Sequence, residues 1–214
     1  MKSYRDIIYS VIEFVSGFNV TDDSPYDEVL IGKKVDDVRA TLIQQEYTQL
    51  RRINDLFFQQ MDAVILKEGI DPKDESPIQS FFVEFQELLP SVGWANIKYL
   101  GTKTMREKYN RRSIDGFSVG ENRRWSSGEV DYFVVGPNRA FIRNEKTTTD
   151  ITIIGLFKSP TEVPGMTWDS IYPTPDPFRL EMIVKQDILS GIGIKSDEKN
   201  DARHNQEEII GRTK

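Results

Sequence analysis

The sequence predicts an α+β protein: an elongated helical bundle, made of N-terminal helices plus a returning C-terminal helix, with a small antiparallel β unit inserted. Three observations predict it. Apolar residues recur at helical spacing through most of residues 4–68. Between residues 96 and 160 that rhythm gives way to short runs rich in β-branched and aromatic residues, separated by Gly, Asn or Pro. After a cluster of prolines, helical periodicity resumes at Phe178.

The elements follow in order. Ile8, Val11, Ile12, Val15 and Phe18 mark a short amphipathic helix over 4–18, and "NVTDDSP" breaks it. Ser24 as cap and Pro25 at the first position predict a short helical piece to about Ile31, interrupted by Gly32. From Val35 through Val38, Leu42, Tyr47, Leu50, Ile53, Phe57 and Met61 to Ile65, steps of three to five predict one helix over 34–68. At 1.5 Å per residue it would span roughly 50 Å, more than one small core needs. Gly69 and Pro72 stop it. Residues 77–89, capped by Ser76, predict a third helix ended by Pro90.

The β unit covers 96–160, with Gly136-Pro137-Asn138 as a hairpin turn between "DYFVV" and "RAFIR". Pro160, Pro164, Pro173, Pro175 and Pro177 then hold the chain extended along a surface. Asp176 caps and Pro177 opens a final helix carrying Leu180, Ile183, Val184, Ile188 and Leu189, ended by Gly191 and Gly193. One helix of that length does not fold alone, so the proline run "SIYPTPDP" reads as a corner, not a linker. The organisation is therefore a helical core over 1–95, the β unit over 96–160, the return and core helix over 161–194, and a polar tail over 195–214. That tail has too little apolar surface to fold alone and is expected to be mobile or ordered by a partner.

Charge is uneven along a chain of net −6. Residues 1–96 carry 9 Lys/Arg against 17 Asp/Glu, and residues 98–124 carry 8 against 3. Opposed patches of this kind orient docking between subunits or partners, and they also occur as solvated faces. The acidic balance speaks against nonspecific DNA binding. The opening residues read as an amphipathic helix rather than a signal peptide, and no run approaches the ~18 apolar residues of a membrane span. A soluble chain made inside the cell is expected.

Chemistry is sparse. No cysteine is present, and the one histidine, His204, lies in the polar tail. Asp22-Asp23 reads as turn and cap chemistry, and Asp36-Asp37 points in two directions on a helix. "DEKNDAR" at 197–203 lacks the glycine and terminal glutamate of a calcium loop. "SGIGIK" follows a helix instead of opening one, which is the wrong context for a nucleotide site. Ser126-Ser127-Gly128 is no nucleophile elbow. The expectation is a non-enzyme with no catalytic residues, no cofactor and no metal. The basic stretch over 98–124 sets Lys103, Arg106, Lys108, Arg111, Arg112, Arg123 and Arg124 beside Tyr99, Tyr109 and Trp125. That mixture suits a protein interface, single-stranded nucleic acid or a solvated loop.

The motifs together resemble a known group. "DDSPYDEVLIGKKVDDVRATLIQQEYTQ", with Asp22, Asp23, Ser24, Arg39 and Leu42 at the matching positions, is similar to the opening of head–tail connector proteins of crAss-like and related tailed bacteriophages. The stretch "YFVVGPNRAFIR…ITIIGLFKSPTEV" and the late "YPTPDPFRLEMIVKQDIL" resemble that group's hairpin and terminal block. The resemblance implies a structural ring protein of the virion neck, made in the host bacterial cytoplasm. It implies a twelve-fold ring of this chain joined to portal protein and to further tail or neck rings, with genomic DNA only passing through the channel and no membrane partner. The interface residues expected are Arg111, Arg112, Arg123, Arg124 and Trp125, together with the tail. The alternative is a nucleic-acid-binding accessory protein using the basic 98–124 loop.

Overall fold

The structure, a computed structural model, describes residues 2–17, 27–69, 80–113, 129–143 and 150–190. Helix α1 (Tyr4–Val15) begins at a capping box. Asp6 N donates to Ser3 Oγ at 3.1 Å, and Ser3 N donates to Asp6 Oδ2 at 3.0 Å. Helix α2 (Glu28–Leu50) is capped by Asp27, whose carboxylate accepts from Val29 N, and ends where Arg51 turns left-handed at φ +54°. The expected break at Gly32 does not occur. A Cβ on Gly32 would stand 2.5 Å from the Tyr4 hydroxyl, so this glycine serves the close approach of α1 to α2. Helix α3 (177–190) opens as the sequence predicts, with Phe178 N and Arg179 N both donating to Asp176 Oδ1.

The corner reading of the proline run holds. Arg5 N donates to Trp168 O and Tyr172 N to Lys2 O, so the return segment lies along the start of α1. Leu180, Val184 and Ile188 of α3 then join Ile7, Ile8, Val11, Val35 and Leu42 in one buried cluster. Both ends of the described chain build that core.

Two sheets make up the rest. The strands are β1 (Gln59–Ile65), β2 (Lys67–Gly69), β3 (Ser80–Glu84), β4 (Ile97–Thr102), β5 (Asn110–Arg111), β6 (Asp131–Val135), β7 (Arg139–Arg143) and β8 (Asp150–Gly155). One sheet has the order β1-β8-β4 and the other β2-β3-β7-β6-β5. They share a core: Val64, Val83, Leu100, Tyr132, Ile142, Ile151 and Ile153, drawn from six strands, pack in one cluster. Only Leu66 separates β1 from β2, so a single run of chain serves both sheets. A second face of the larger sheet stacks Phe133 on Phe141 at 5.4 Å, with Phe82 beside them. Gly136, at φ +68°, turns the β6–β7 hairpin where the sequence places it.

The elongated helical bundle is overturned. The expected helix over 34–68 ends at Leu50. Asn54 then caps a 3-10 turn, Asp55–Phe57, and β1 pairs with β8. The misleading spacing has a physical source. A bulge between Met61 and Val64, with Ala63 at φ +55°, adds a residue to a strand whose buried set is Gln59, Met61 and Val64. The buried positions thus step by two and then three, while Ile65, which the helical spacing counts as apolar face, is exposed. The expected helix over 77–89 is likewise replaced where the chain is described: Ser80–Glu84 is a strand, Val83 and Phe85 enter the shared core, and Phe82 faces the other way. Strands therefore begin well before residue 96. The β structure is also mixed instead of purely antiparallel, because β5 pairs parallel with β6. Ser24, Pro25, Ser76 and Pro77 lie outside the described residues.

Among the described residues, no helix is long and apolar enough to cross a membrane. Leu180→Ala tests the closure. Leu180 is fully buried between helices, so the variant is expected to lose about 2–5 kcal/mol in chemical denaturation. A loss below about 1 kcal/mol would mean that α3 does not complete this core.

Candidate functional site

Two of the five expected interface residues fall within the described chain. Arg111 on β5 donates from Nη1 to Trp94 O at 2.8 Å and to Asn96 Oδ1 at 3.0 Å, and its guanidinium lies 4.9 Å over the Trp94 ring. Trp94 itself is 60% exposed. Arg112 donates from Nε to Asp131 Oδ1 at 3.1 Å and pairs with Glu129 at 3.6 Å. Both arginines are thus engaged inside the fold, and what they present outward is the Arg111–Trp94 stack. Arg123, Arg124 and Trp125 lie outside the described residues, as do Asp22, Asp23 and His204.

A different arginine is central. Arg39 on α2 is fully buried. Its Nε donates to Pro173 O at 2.7 Å, Nη1 to Phe157 O at 2.9 Å, and Nη2 reaches Phe57 O at 3.5 Å. Those carbonyls belong to the return segment, to the exit from β8 and to the entry into β1. The planar fork of donors matches three chain segments at once, which an ammonium cannot do. Burial pulls the Arg39 pKa down, while Tyr172 and Asp36 push it up. Asp36, one helical turn earlier, accepts from the Tyr172 hydroxyl at 2.5 Å. Burial raises its carboxyl above the usual range, against the lowering hydrogen bonds from Tyr172 and Ser159 and the charge of Arg39. Asp36-Asp37 does point in two directions: Asp36 is buried and Asp37 exposed.

Beside this staple runs a groove of about 630 Å³. One wall is the return segment, with Met166, Ile171, Pro173, Thr174 and Pro175, and the other is the entry to β1, with Leu56, Phe58 and Gln60. Lys2, its sole charged lining residue, is neutralised by Glu181. Leu56 is 67% exposed, Ile171 59% and Phe178, past the groove's end, 71%. Pro164, Pro173, Pro175 and Pro177 in the lining carry no N–H, so this wall offers few backbone donors. Thr174 lines the groove, is 8% exposed, and its hydroxyl is the buried side-chain polar atom without a hydrogen-bond partner among the described residues. A separate depression at Phe178 is lined by Phe14, Met182 and Leu189 together with Glu181, Lys185 and Gln186. The sequence reading missed this groove because Leu56 and Phe57 sit inside the expected long helix. The proline run is the signal available in sequence, since its members line one wall.

Glu181 anchors the edge of α3. It accepts from Lys185 at 2.5 Å and also from Lys2 and the Ser10 hydroxyl. Burial would raise its pKa, but the hydrogen bonds from Lys185, Lys2 and Ser10 outweigh it and hold the group at about 2, below its ordinary 4.5. A second depression, lined by Lys33, Asp36, Asp37, Glu87, Lys158 and Glu162, is polar and of mixed sign. Among the described residues, no group of three or more His, Cys, Asp or Glu comes together to hold a metal ion. The arrangement suits noncovalent docking of an apolar segment. No family model matches this chain, and no curated protein matches it.

Two outcomes test the site's supports. Arg39→Met is expected to cost about 3–5 kcal/mol in denaturant unfolding, and Arg39→Lys a comparable amount, because buried carbonyls lose their donors. A near-neutral Arg39→Lys would show that charge alone suffices. Glu181 has a folded pKa below its unfolded value, so its contribution is full above about pH 4.5 and is lost as pH falls toward 2. Glu181→Gln should therefore be less stable than the parent at pH 6, with the two melting curves converging by about pH 2 to 3. A gap that is constant with pH would refute the linkage.

Proposed function

We propose that this chain is a structural subunit of the head–tail connector of a tailed phage, forming a ring between portal and tail components around the DNA channel. The observation that carries the reading is the open apolar strip from Leu56 and Ile171 to Phe178, Met182 and Leu189. Single exposed hydrophobics are ordinary, but a groove with several exposed apolar residues on its rim and a second depression on the adjoining helix suit an association surface. Support also comes from the resemblance in sequence: Arg39, one of its matching positions, is the residue that joins helices and sheets. Such a subunit acts by assembly, with neighbours burying what the single chain leaves open. The Arg111–Trp94 stack supplies a second contact of the Arg and Trp type enriched at interfaces.

The nucleic-acid alternative draws less from the geometry, since Arg111 and Arg112 already satisfy partners within the fold. The test is mass in solution for the full chain, alone and mixed with portal protein, followed by imaging. Closed rings on the portal are expected, of about twelve copies as the resemblance implies. A monomer that never joins any ring would end the connector reading. Steep salt-dependent DNA binding, abolished when Arg111, Arg112, Arg123 and Arg124 are neutralised, would favour the alternative.

A further inference from the structure

We infer that the groove is a peptide-binding seat, and that its occupant is the Gly-Ile-Gly-Ile segment, residues 191–194, of a second copy of this chain. This inference rests on the assembly reading above and names the contact that assembly uses.

The groove itself asks for a peptide. Its walls are apolar, its one charged lining residue is already paired, and its prolines deny it backbone donors. Thr174 lines it, and its buried hydroxyl, which can both donate and accept, has no hydrogen-bond partner among the described residues. An extended segment supplies what is missing: apolar side chains for the walls and a backbone amide or carbonyl for Thr174.

The chain carries one short segment of that chemistry just past α3. In "SGIGIK", Ile192 and Ile194 alternate with glycines, so in extended form both isoleucines fall on one side. Gly191 and Gly193 leave the backbone open to close approach. Reach decides whose groove it enters. Helix α3 begins at Pro177, on the groove's lining, and runs to residue 190, so its far end lies about 20 Å away along the axis. Ile194 is four residues beyond that end, and four extended residues span at most ~14 Å. The isoleucines cannot turn back into their own groove. They can enter a neighbour's, and a donor and an acceptor at opposite ends of one helix make a head-to-tail contact, the kind that builds a ring when the rotation between copies closes and a filament when it does not.

The experiment uses the full chain carrying Ile192→Glu and Ile194→Glu as receptor, titrated with a fluorescent peptide of residues 189–196. Saturable binding is expected. Adding Ile171→Glu, at an exposed rim position and with its melting temperature matched to the parent, should weaken it at least tenfold, and Thr174→Val several-fold. No binding, or equal binding to the Ile171→Glu receptor, overturns the seat. In an equal mixture of isotopically heavy and light full chains with a photo-cross-linker at position 192, heavy–light links onto 54–60 or 164–177 are expected. Links confined within one chain overturn the inference in favour of the tail covering its own Phe14 and Leu189. Solution mass separates the two ideas. Rings that persist in the Ile192→Glu, Ile194→Glu chain remove the seat and keep the connector. Peptide binding by a chain that never joins a ring removes the connector and keeps the seat.

Discussion

The guanidinium of Arg39 is the point on which the rest of this fold depends. It sits on α2 with no exposed surface and holds three carbonyls from segments far apart in sequence: Phe57, Phe157 and Pro173. These mark where the chain leaves the helices for the sheets, where it leaves the sheets, and where it returns to the helices. A buried charge of this kind is costly unless each donor is used. Here the donors are spent on backbone groups that would otherwise be buried unpaired. The Tyr172 ring lies 5.8 Å from the guanidinium and Tyr172 bonds Asp36, so the charge, the ring and the carboxylate hold the corner together.

Around that point the two layers are coupled twice more. Ile43 of α2 packs with Phe57, Leu89, Val92 and Leu156 in a small cluster that bridges helix and sheet edges. Gln59 reaches back too, donating to Phe57 O and accepting from Phe157 N. The strap of prolines then has little freedom left. The Pro173 carbonyl accepts from Arg39, Pro164, Pro173, Pro175 and Pro177 line the groove, and Pro177 starts α3.

How much of this was legible in the residues follows from which interactions are local. The capped start of α3 at Asp176, the first amphipathic helix, the turn at Gly136 and the closing corner all rest on neighbours within a few positions, and each is visible in sequence. The stretch from Ile53 to Ile65 is not, because its apolar spacing is set by a bulge and by pairing with β8, nearly a hundred residues away. "SFFVEF" fails for the same reason: β3 is fixed by its partner β7, not by its own propensity. Gly32 was read as a breaker by composition, whereas Tyr4, from another helix, is what needs it. Of the candidate site, the arginines and aromatics were visible as types. The groove was not, since its walls come from residues 54–60 and 164–177 and exist only once Arg39 has drawn them together.

The bulge at Ala63 reaches beyond its local geometry. It falls on β1, an edge strand of its sheet, and an edge interrupted this way is a poor template for further strands. Backbone pairing is indiscriminate, since any extended chain can add to a flat edge. Under the proposed assembly, in which copies of the chain lie side by side, an interrupted β1 leaves one edge fewer for a copy to extend. The groove, by contrast, is read by side-chain shape, so under the proposed assembly the choice of neighbour would be a matter of a few residues that selection can retune without touching the fold.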